Sequence, residues 1–257
     1  MKSFAWKSPY QSEAYWNALS HENLEFTSVP QADGSSVFFD HSAPVPTAWE
    51  VSSNHDLVLP DDESVVYQLC DSLPSGSSDS YYTLALSSTD ARFDNRYIRQ
   101  VKKARSLFAN PILRLAETDA QIETALAQFD NCPERRDGIP MSSFKRRITA
   151  LTNASLLLSY VLYDQDEPLG VSFVLKTDTQ ANLRYYSAVR DKNAGHLLHF
   201  LSIEDLFSQQ GIEVVDLSGI SPYSDDQKMR GIDEFKHQIG GACVEFRRTE
   251  HNSNTTP

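Results

Sequence analysis

The stretch Ala154–Val189, ASLLLSYVLYDQDEPLGVSFVLKTDTQANLRYYSAV, decides the fold. It holds three extended runs: Ala154–Tyr163, apolar almost throughout; Leu169–Lys176, with Val171, Phe173 and Leu175 alternating; and Leu183–Val189. A near-continuous apolar run is what a strand buried on both faces requires, and the polar turns between the runs are too short for crossovers. The three therefore form an antiparallel meander.

Outward from this meander the period changes from two to about 3.6. Downstream, Asn193 caps a helix that turns Leu197, Phe200, Leu201, Ile203 and Phe207 inward, and Gly211 stands where a helix C-terminal glycine belongs. A strand over Ile212–Leu217, a helix over 225–239, the breaker Gly240-Gly241 and a strand over Cys243–Arg248 follow. Upstream, Asp94 caps a helix with Tyr97, Val101, Ala104 and Phe108 on one face, while Arg92, Arg96, Arg99 and Lys103 lie on another. Pro111 ends it. Ile112–Leu115 is a short strand, the capping pair Thr118 and Gln121 opens a helix, and Phe144, Ile148 and Leu151 mark another. From Ile112 the order is strand, helix, helix, three strands, helix, strand, helix, strand.

The region before residue 92 carries weaker signals. A helix is expected over Gln11–Leu19, and a hairpin of Leu24–Val29 with Ser36–Phe39 around Asp33-Gly34. Trp49–Leu59 reads as extended, Asp61–Leu73 as a helix with Val65, Val66, Leu69 and Cys70 on one side, and Ser80–Ser87 as a strand. This gives residues 1–91 as an incomplete N-terminal lobe, 92–250 as the main domain and 251–257 as a flexible tail.

Charge separates the same regions. Residues 1–91 hold 2 basic and 13 acidic residues, 92–147 hold 12 and 7, and 148–257 hold 9 and 15, within a total of −12. A surface acidic overall does not grip a polyanion as a whole, so the basic segment either neutralises its neighbours or forms a local phosphate-binding site. No signal-peptide-like run and no stretch of about 18 apolar residues occurs, which leads to the expectation of a cytoplasmic protein without membrane partners. Cys70, Cys132 and Cys243 lack metal-site or disulfide spacing and read as buried thiols. His196 and His199 have helical spacing for a metal but lack a completing ligand set, so no metal is expected. A GxSxG elbow is absent, which removes the Ser-His-Asp hydrolase reading.

The element order resembles the GNAT fold: an α/β (α+β) domain with a mixed, mostly antiparallel sheet flanked by helices, here with an incomplete N-terminal second lobe. Within it, QQGIEVVDLSGI (209–220) and RGIDEFKHQIGG (230–241) resemble the closing segment of Fem-type aminoacyl-tRNA-dependent aminoacyltransferases. NRYIRQVKKARSLFANPILRLAE (95–117) is similar to the basic helix of that family, and EPLGVSFVLKTDTQANLRYYSAV (167–189) to its central hairpin. The resemblance implies amide formation by transfer of an aminoacyl group from aminoacyl-tRNA, as co-substrate, to the amine of a small molecule or peptide. No other cofactor is implied.

The family's lysine after phenylalanine corresponds to Lys236, with Phe235 lining the substrate. A positioned ammonium stabilises the oxyanion that forms when an amine attacks an ester or thioester. Asp216 is the candidate proton acceptor, or else only caps the turn before Gly219. Tyr186 is the implied acceptor contact on the third meander strand, and Arg146 the implied holder of a phosphorylated acceptor. Arg96, Arg99 and Lys103 are the implied tRNA contacts. The alternative donor is acyl-CoA or a carrier-linked acyl group: CoA-dependent enzymes use a Q/R-x-x-G-x-G/A turn, and Arg190, Asn193 and Gly195 occupy the arginine and the two glycine positions. A non-catalytic binding module on the same scaffold is the third reading.

Overall fold

The computed structural model describes residues 6–20, 25–42, 45–52, 57–60, 63–70, 77, 79–90, 93–130, 139–189 and 193–251. After a 3-10 turn at Pro9–Gln11, the elements are α1 (Glu13–Leu19), β1 (Phe26–Pro30), β2 (Ser36–Asp40), β3 (Thr47–Val51), β4 (Ser64–Leu69) and β5 (Tyr81–Ser87). Then come α2 (Asn95–Leu107), β6 (Pro111–Leu115), α3 (Asp119–Asp130), α4 (Met141–Asn153), β7 (Leu157–Asp164), β8 (Glu167–Lys176) and β9 (Gln180–Ala188). The last are α5 (Ala194–Ser208), β10 (Val214–Ile220), α6 (Gln227–Ile239) and β11 (Ala242–His251). From β6 onward this is the order read from the sequence. Its caps are also in place: Asp94 accepts from Arg96 N, and Gln121 Oε1 accepts from Glu117 N and Thr118 N.

All strands join one sheet in the order β1-β2-β3-β4-β11-β5-β10-β9-β8-β7-β6. Among the described residues only β3/β4 and β9/β10 are parallel pairs. Two strands have changed places. β5 pairs with β10 and β11, and β11 pairs with β4 and β5, so each half of the chain gives its last strand to the other half. Residues 112–248 alone therefore do not make a continuous sheet, because β5 stands between β10 and β11. Helices cover both faces: α2, α5 and α6 bury Tyr97, Val101, Leu197, Leu206 and Ile239 in one core. On the other face α1, α3 and α4 bury Trp16, Leu19, Phe129, Phe144 and Ile148 against Phe173 and Tyr185. The N-terminal helix thus packs against α4 and shares a core with the C-terminal half.

The expected helix over Asp61–Leu73 is instead strand β4 at Ser64–Leu69, residues 61–62 and 71–73 lying outside those described. Val65 and Val66 are β-branched and buried, and β4 takes its hydrogen bonds from β3 and from β11, about 180 residues away in the chain. Of the expected run Trp49–Leu59, the first three residues belong to β3, residues 57–59 are not in a strand, and residues 53–56 lie outside those described. The β1/β2 hairpin forms as read, with Gly34 at φ 83° in its turn. Cys70 and Cys243 are half-buried rather than core residues, and Cys132 lies outside the described residues. Residues 252–257 of the expected tail do as well.

Candidate active site

Strands β9 and β10 pair only over Gln180–Asn182 and Val214–Asp216. Beyond that point β10 continues against β5 alone, with its register shifted between Asp216 and Gly219. Asp216 sits at this fork with no exposed surface. Its carboxylate accepts hydrogen bonds from Thr83 Oγ1 on β5, Asn182 Nδ2 on β9 and, at 2.8 Å, the backbone N of Ser218. Burial raises its pKa, opposed by those hydrogen bonds and by the charge of Lys236. Held by these three donors, Asp216 ties β5 and β9 to its own strand and supplies negative charge. The bond from Ser218 N is the turn cap read as the alternative for this residue. Ser218, next to it, is held at φ 66°, and its hydroxyl donates to the Leu183 carbonyl at 2.9 Å.

Lys236 projects from the last turn of α6 into the fork. It is 9% exposed, and Nζ donates to the Gly219 carbonyl at 2.5 Å. Burial lowers its pKa from 10.5 to about 8; Asp216 and Asp233 pull in the other direction, and Arg184 adds to the lowering. Asp233, one helical turn earlier, accepts from Ser221 N at 2.9 Å and so fixes the loop leaving β10. Gly219 has a steric reason to be glycine: a Cβ there would come within 2.8 Å of the Tyr81 ring on β5.

Beside the fork lies a cavity of about 370 Å³. Its walls are aromatic, from Tyr10, Tyr15, Trp16, Trp49 and Tyr81, and its charges come from Arg147 of α4, Arg184 of β9, Asp40 and Glu50. Arg184 reaches it through a β-bulge. Phe173 pairs with Tyr185 and Val174 with Leu183, so Arg184 is the extra residue, and Leu183 and Tyr185 fall into cores on opposite faces. Burial raises the phenols of Tyr10, Tyr15 and Tyr81, keeping them protonated donors. Glu50 is the least comfortable residue of the site. It is 2% exposed, has φ 55° at an irregularity in β3, and accepts from Ser8 Oγ at 2.7 Å. Its pKa rises to about 8 through burial, with the negative charge of Asp216 adding to the effect. A buried carboxyl in a strained conformation at a cavity wall is the arrangement expected of a functional group.

A sequence profile described as acetyltransferase (GNAT) domain matches residues 91–237, more than half of the chain. The chain belongs to this GNAT family. The crystal structure of FemX superposes with a TM-score of 0.68 at 10% identity, covering 97% of this chain and 93% of that one. The C-terminal domain of a putative lysylphosphatidylglycerol synthetase from Agrobacterium fabrum gives 0.58 at 11% identity, covering 94% and 88%. A tandem GNAT protein from the clavulanic acid biosynthesis pathway gives 0.53 at 11% identity, covering 98% and 91%. At these identities the likeness is one of fold. No curated protein sequence matches the chain.

In this GNAT frame the residues singled out from the sequence fall into separate groups. Tyr186 and Phe235 are half-buried and stack on each other at 6.3 Å between centroids, with the His199 and His196 rings edge-on to Phe235. They form an aromatic cluster between β9, α5 and α6 and do not line the cavity of about 370 Å³. Arg146 is exposed and donates to Ser143 of its own helix at 3.1 Å; the cavity is lined by the next residue, Arg147. Arg96, Arg99 and Lys103 form an exposed stripe on α2. Asn193 precedes α5 in a left-handed conformation, φ 56°, and its Nδ2 donates to Gln100 of α2 at 3.2 Å; Gly195 lies in the first turn of α5. Arg190 is outside the described residues. Among the described residues no helix is long and apolar enough to cross a membrane.

Sequence reading missed Glu50, Arg184 and the tyrosines of the first 81 residues. One signal was present: Arg184 is the lone charge in a strand otherwise free of charged residues, which is where a bulge or a cleft-facing residue is expected.

Proposed function

We propose that the protein forms an amide bond, moving an aminoacyl group from aminoacyl-tRNA to the amine of a small molecule or peptide. The observation that carries the reading is Lys236: a buried ammonium at the fork of β9 and β10, linked to the cavity through Arg184, whose charge acts on it, and through Tyr81, which packs on Gly219. In the reaction the acceptor ammonium first gives up a proton. The amine then attacks the ester carbonyl, a C–N bond forms and the C–O bond to the tRNA ribose breaks. The departing alkoxide takes the second proton of the nitrogen. Negative charge on the carbonyl oxygen peaks between these two events, and a preorganised ammonium in a water-poor site lowers that barrier. Asp216 keeps Lys236 charged from behind, while Gly219 aims it.

The donor assignment is supported by the Fem-like motifs, by the exposed basic stripe of α2, and by the fold shared with FemX and the lysylphosphatidylglycerol synthetase domain. One observation favours acyl-CoA as a second reading: the left-handed Asn193 gives the turn before α5 the backbone form that glycine gives CoA-binding loops. The deciding experiment incubates purified protein with a pool of charged tRNAs or with acyl-CoAs, in each case with a panel of amines, and detects amides by mass spectrometry. Product from charged tRNA alone supports the proposal; product from acyl-CoA alone replaces it with the second reading.

A further inference from the structure

The cavity beside the fork carries more information than its position. Its volume of about 370 Å³ lies at the small end of the range of about 300–1,000 Å³ for small-molecule pockets. A long peptide or a nucleotide-linked acceptor would exceed it. Its charges are of both signs, and the tyrosine walls register them together. Burial is the main cause that raises the Tyr10, Tyr15 and Tyr81 phenols; the lesser charge effects come from Arg184 on all three, Glu50 on Tyr10 and Tyr81, and Arg147 and Asp40 on Tyr15. Two guanidiniums and two carboxyl groups thus border one small volume with aromatic sides. Guanidinium is the side chain best matched to a planar carboxylate. A carboxyl group together with aromatic faces is the matching environment for an ammonium.

We infer that this cavity is the acceptor site, and that its ligand is a small zwitterion, a free amino acid or a comparably small amino carboxylate, with its carboxylate toward Arg147 and Arg184 and its amine toward Glu50. The assignment rests on the amide-forming reading and narrows its acceptor. It also gives Glu50 work to do. The carboxyl lies on the wall of this cavity and of a second, serine-lined one of about 490 Å³, with Ser8 bonded to it in the second. In its ionised form Glu50 takes the first proton from the acceptor ammonium, leaving the neutral amine that attacks, and passes that proton toward the second cavity.

The test measures binding without any donor, so a wrong donor assignment leaves its outcome unchanged. Purified full-length protein is titrated, by ligand-observed NMR and calorimetry, with the proteinogenic amino acids, their carboxamides and their decarboxylated amines. At least one amino acid is expected to bind about tenfold or more tightly than its carboxamide, the difference that a charge-assisted hydrogen bond makes. In Arg147→Gln and Arg184→Gln that preference should fall below about threefold, with unchanged melting and with binding of the carboxamide retained. In Glu50→Gln the preference for the carboxylate should persist while the decarboxylated amine binds more weakly. Equal binding of acid and amide, a preference that survives both arginine substitutions, or no binding by any member of the panel overturns the inference. A transfer assay that fails with charged tRNA while the amino acid still binds sinks only the donor assignment.

Discussion

Replacing Lys236 with methionine separates the stability of the site from its chemistry. The amine's pKa is displaced from 10.5 to about 8. At about 1.36 kcal/mol per pH unit, holding it protonated inside the fold at neutral pH costs roughly 3 kcal/mol. Methionine fills similar space and removes that cost, but leaves the Gly219 carbonyl without its donor, a loss of about 1–3 kcal/mol. The two nearly offset, so the melting temperature at pH 7 should move by no more than about 5 °C. The difference must also depend on pH. Between about 8 and 10.5 the unfolded chain binds a proton that folded Lys236 has released, so the wild type gains stability with rising pH and the variant does not. Any advantage of the variant at pH 7 should shrink by pH 10. Transfer, in contrast, should fall about 100–1,000-fold, because one stabilising charge on a developing oxyanion contributes about 2.7–4 kcal/mol. Single-turnover rates with preformed donor are the readout, since they isolate the chemical step. A variant rate within about threefold of wild type would remove Lys236 from the reaction, and a melting difference flat from pH 7 to 10 would refute its depressed pKa.

Glu50→Gln should melt with the wild type at pH 5 but several degrees above it at pH 8, because the wild type must ionise a buried carboxyl whose folded pKa lies above its unfolded one; a difference that does not grow between these pH values contradicts the burial argument. Gly219→Ala should cost about 1–3 kcal/mol and reduce transfer, since its Cβ must displace the Tyr81 ring; a variant as active and as stable as wild type would show that Tyr81 and the Gly219 carbonyl tolerate movement. The triple variant Arg96→Ala, Arg99→Ala, Lys103→Ala should weaken binding of charged tRNA and flatten the salt dependence by about two to three in logarithmic slope. An unchanged slope would place the stripe outside the tRNA contact.

What could be read from the sequence depended on how local each signal is. The meander Ala154–Val189, the caps at Asp94 and Thr118 and the breaker Gly240-Gly241 act over a few residues, and each is found where expected. Strand β4 was misread because Val65, Val66, Leu69 and Cys70 satisfy a helical face, while the partner that makes them a strand is β11, far along the chain. The exchange of β5 and β11 between the halves is invisible to periodicity for the same reason. The site divides likewise. Lys236 could be found because a motif surrounds it, whereas Glu50, Arg147 and Arg184 are brought together by the packing of α1 against α4, a bulge and a strained strand residue that no short pattern encodes. Arg146 and Arg147 show the limit plainly: one position along α4 separates an exposed side chain from one on the cavity wall.

The junction between the halves is where this fold concentrates its unfavourable terms. Asp216 and Glu50 are carboxyls whose ionised forms burial disfavours, Lys236 is an ammonium disfavoured in the same way, and Glu50 and Ser218 hold left-handed backbone at about 1–3 kcal/mol each. A junction built only for stability would be better filled with apolar side chains, since buried charges seldom repay their desolvation. The reciprocal exchange of β5 and β11 explains how the site persists despite this. Thr83 and Tyr81 come from β5, Asp216, Ser218 and Gly219 from β10, and β11 closes the sheet on the other side of β5, so this part of the site stands on strands that neither half can withdraw without unpairing the other. The same exchange makes the acceptor cavity a property of the whole chain: Tyr15 and Glu50 come from before β5, Arg147 and Arg184 from after it. Catalysis and cohesion are thereby coupled, and loosening the pairing of β5 with β10 should disperse the charges of the site before it unfolds either half.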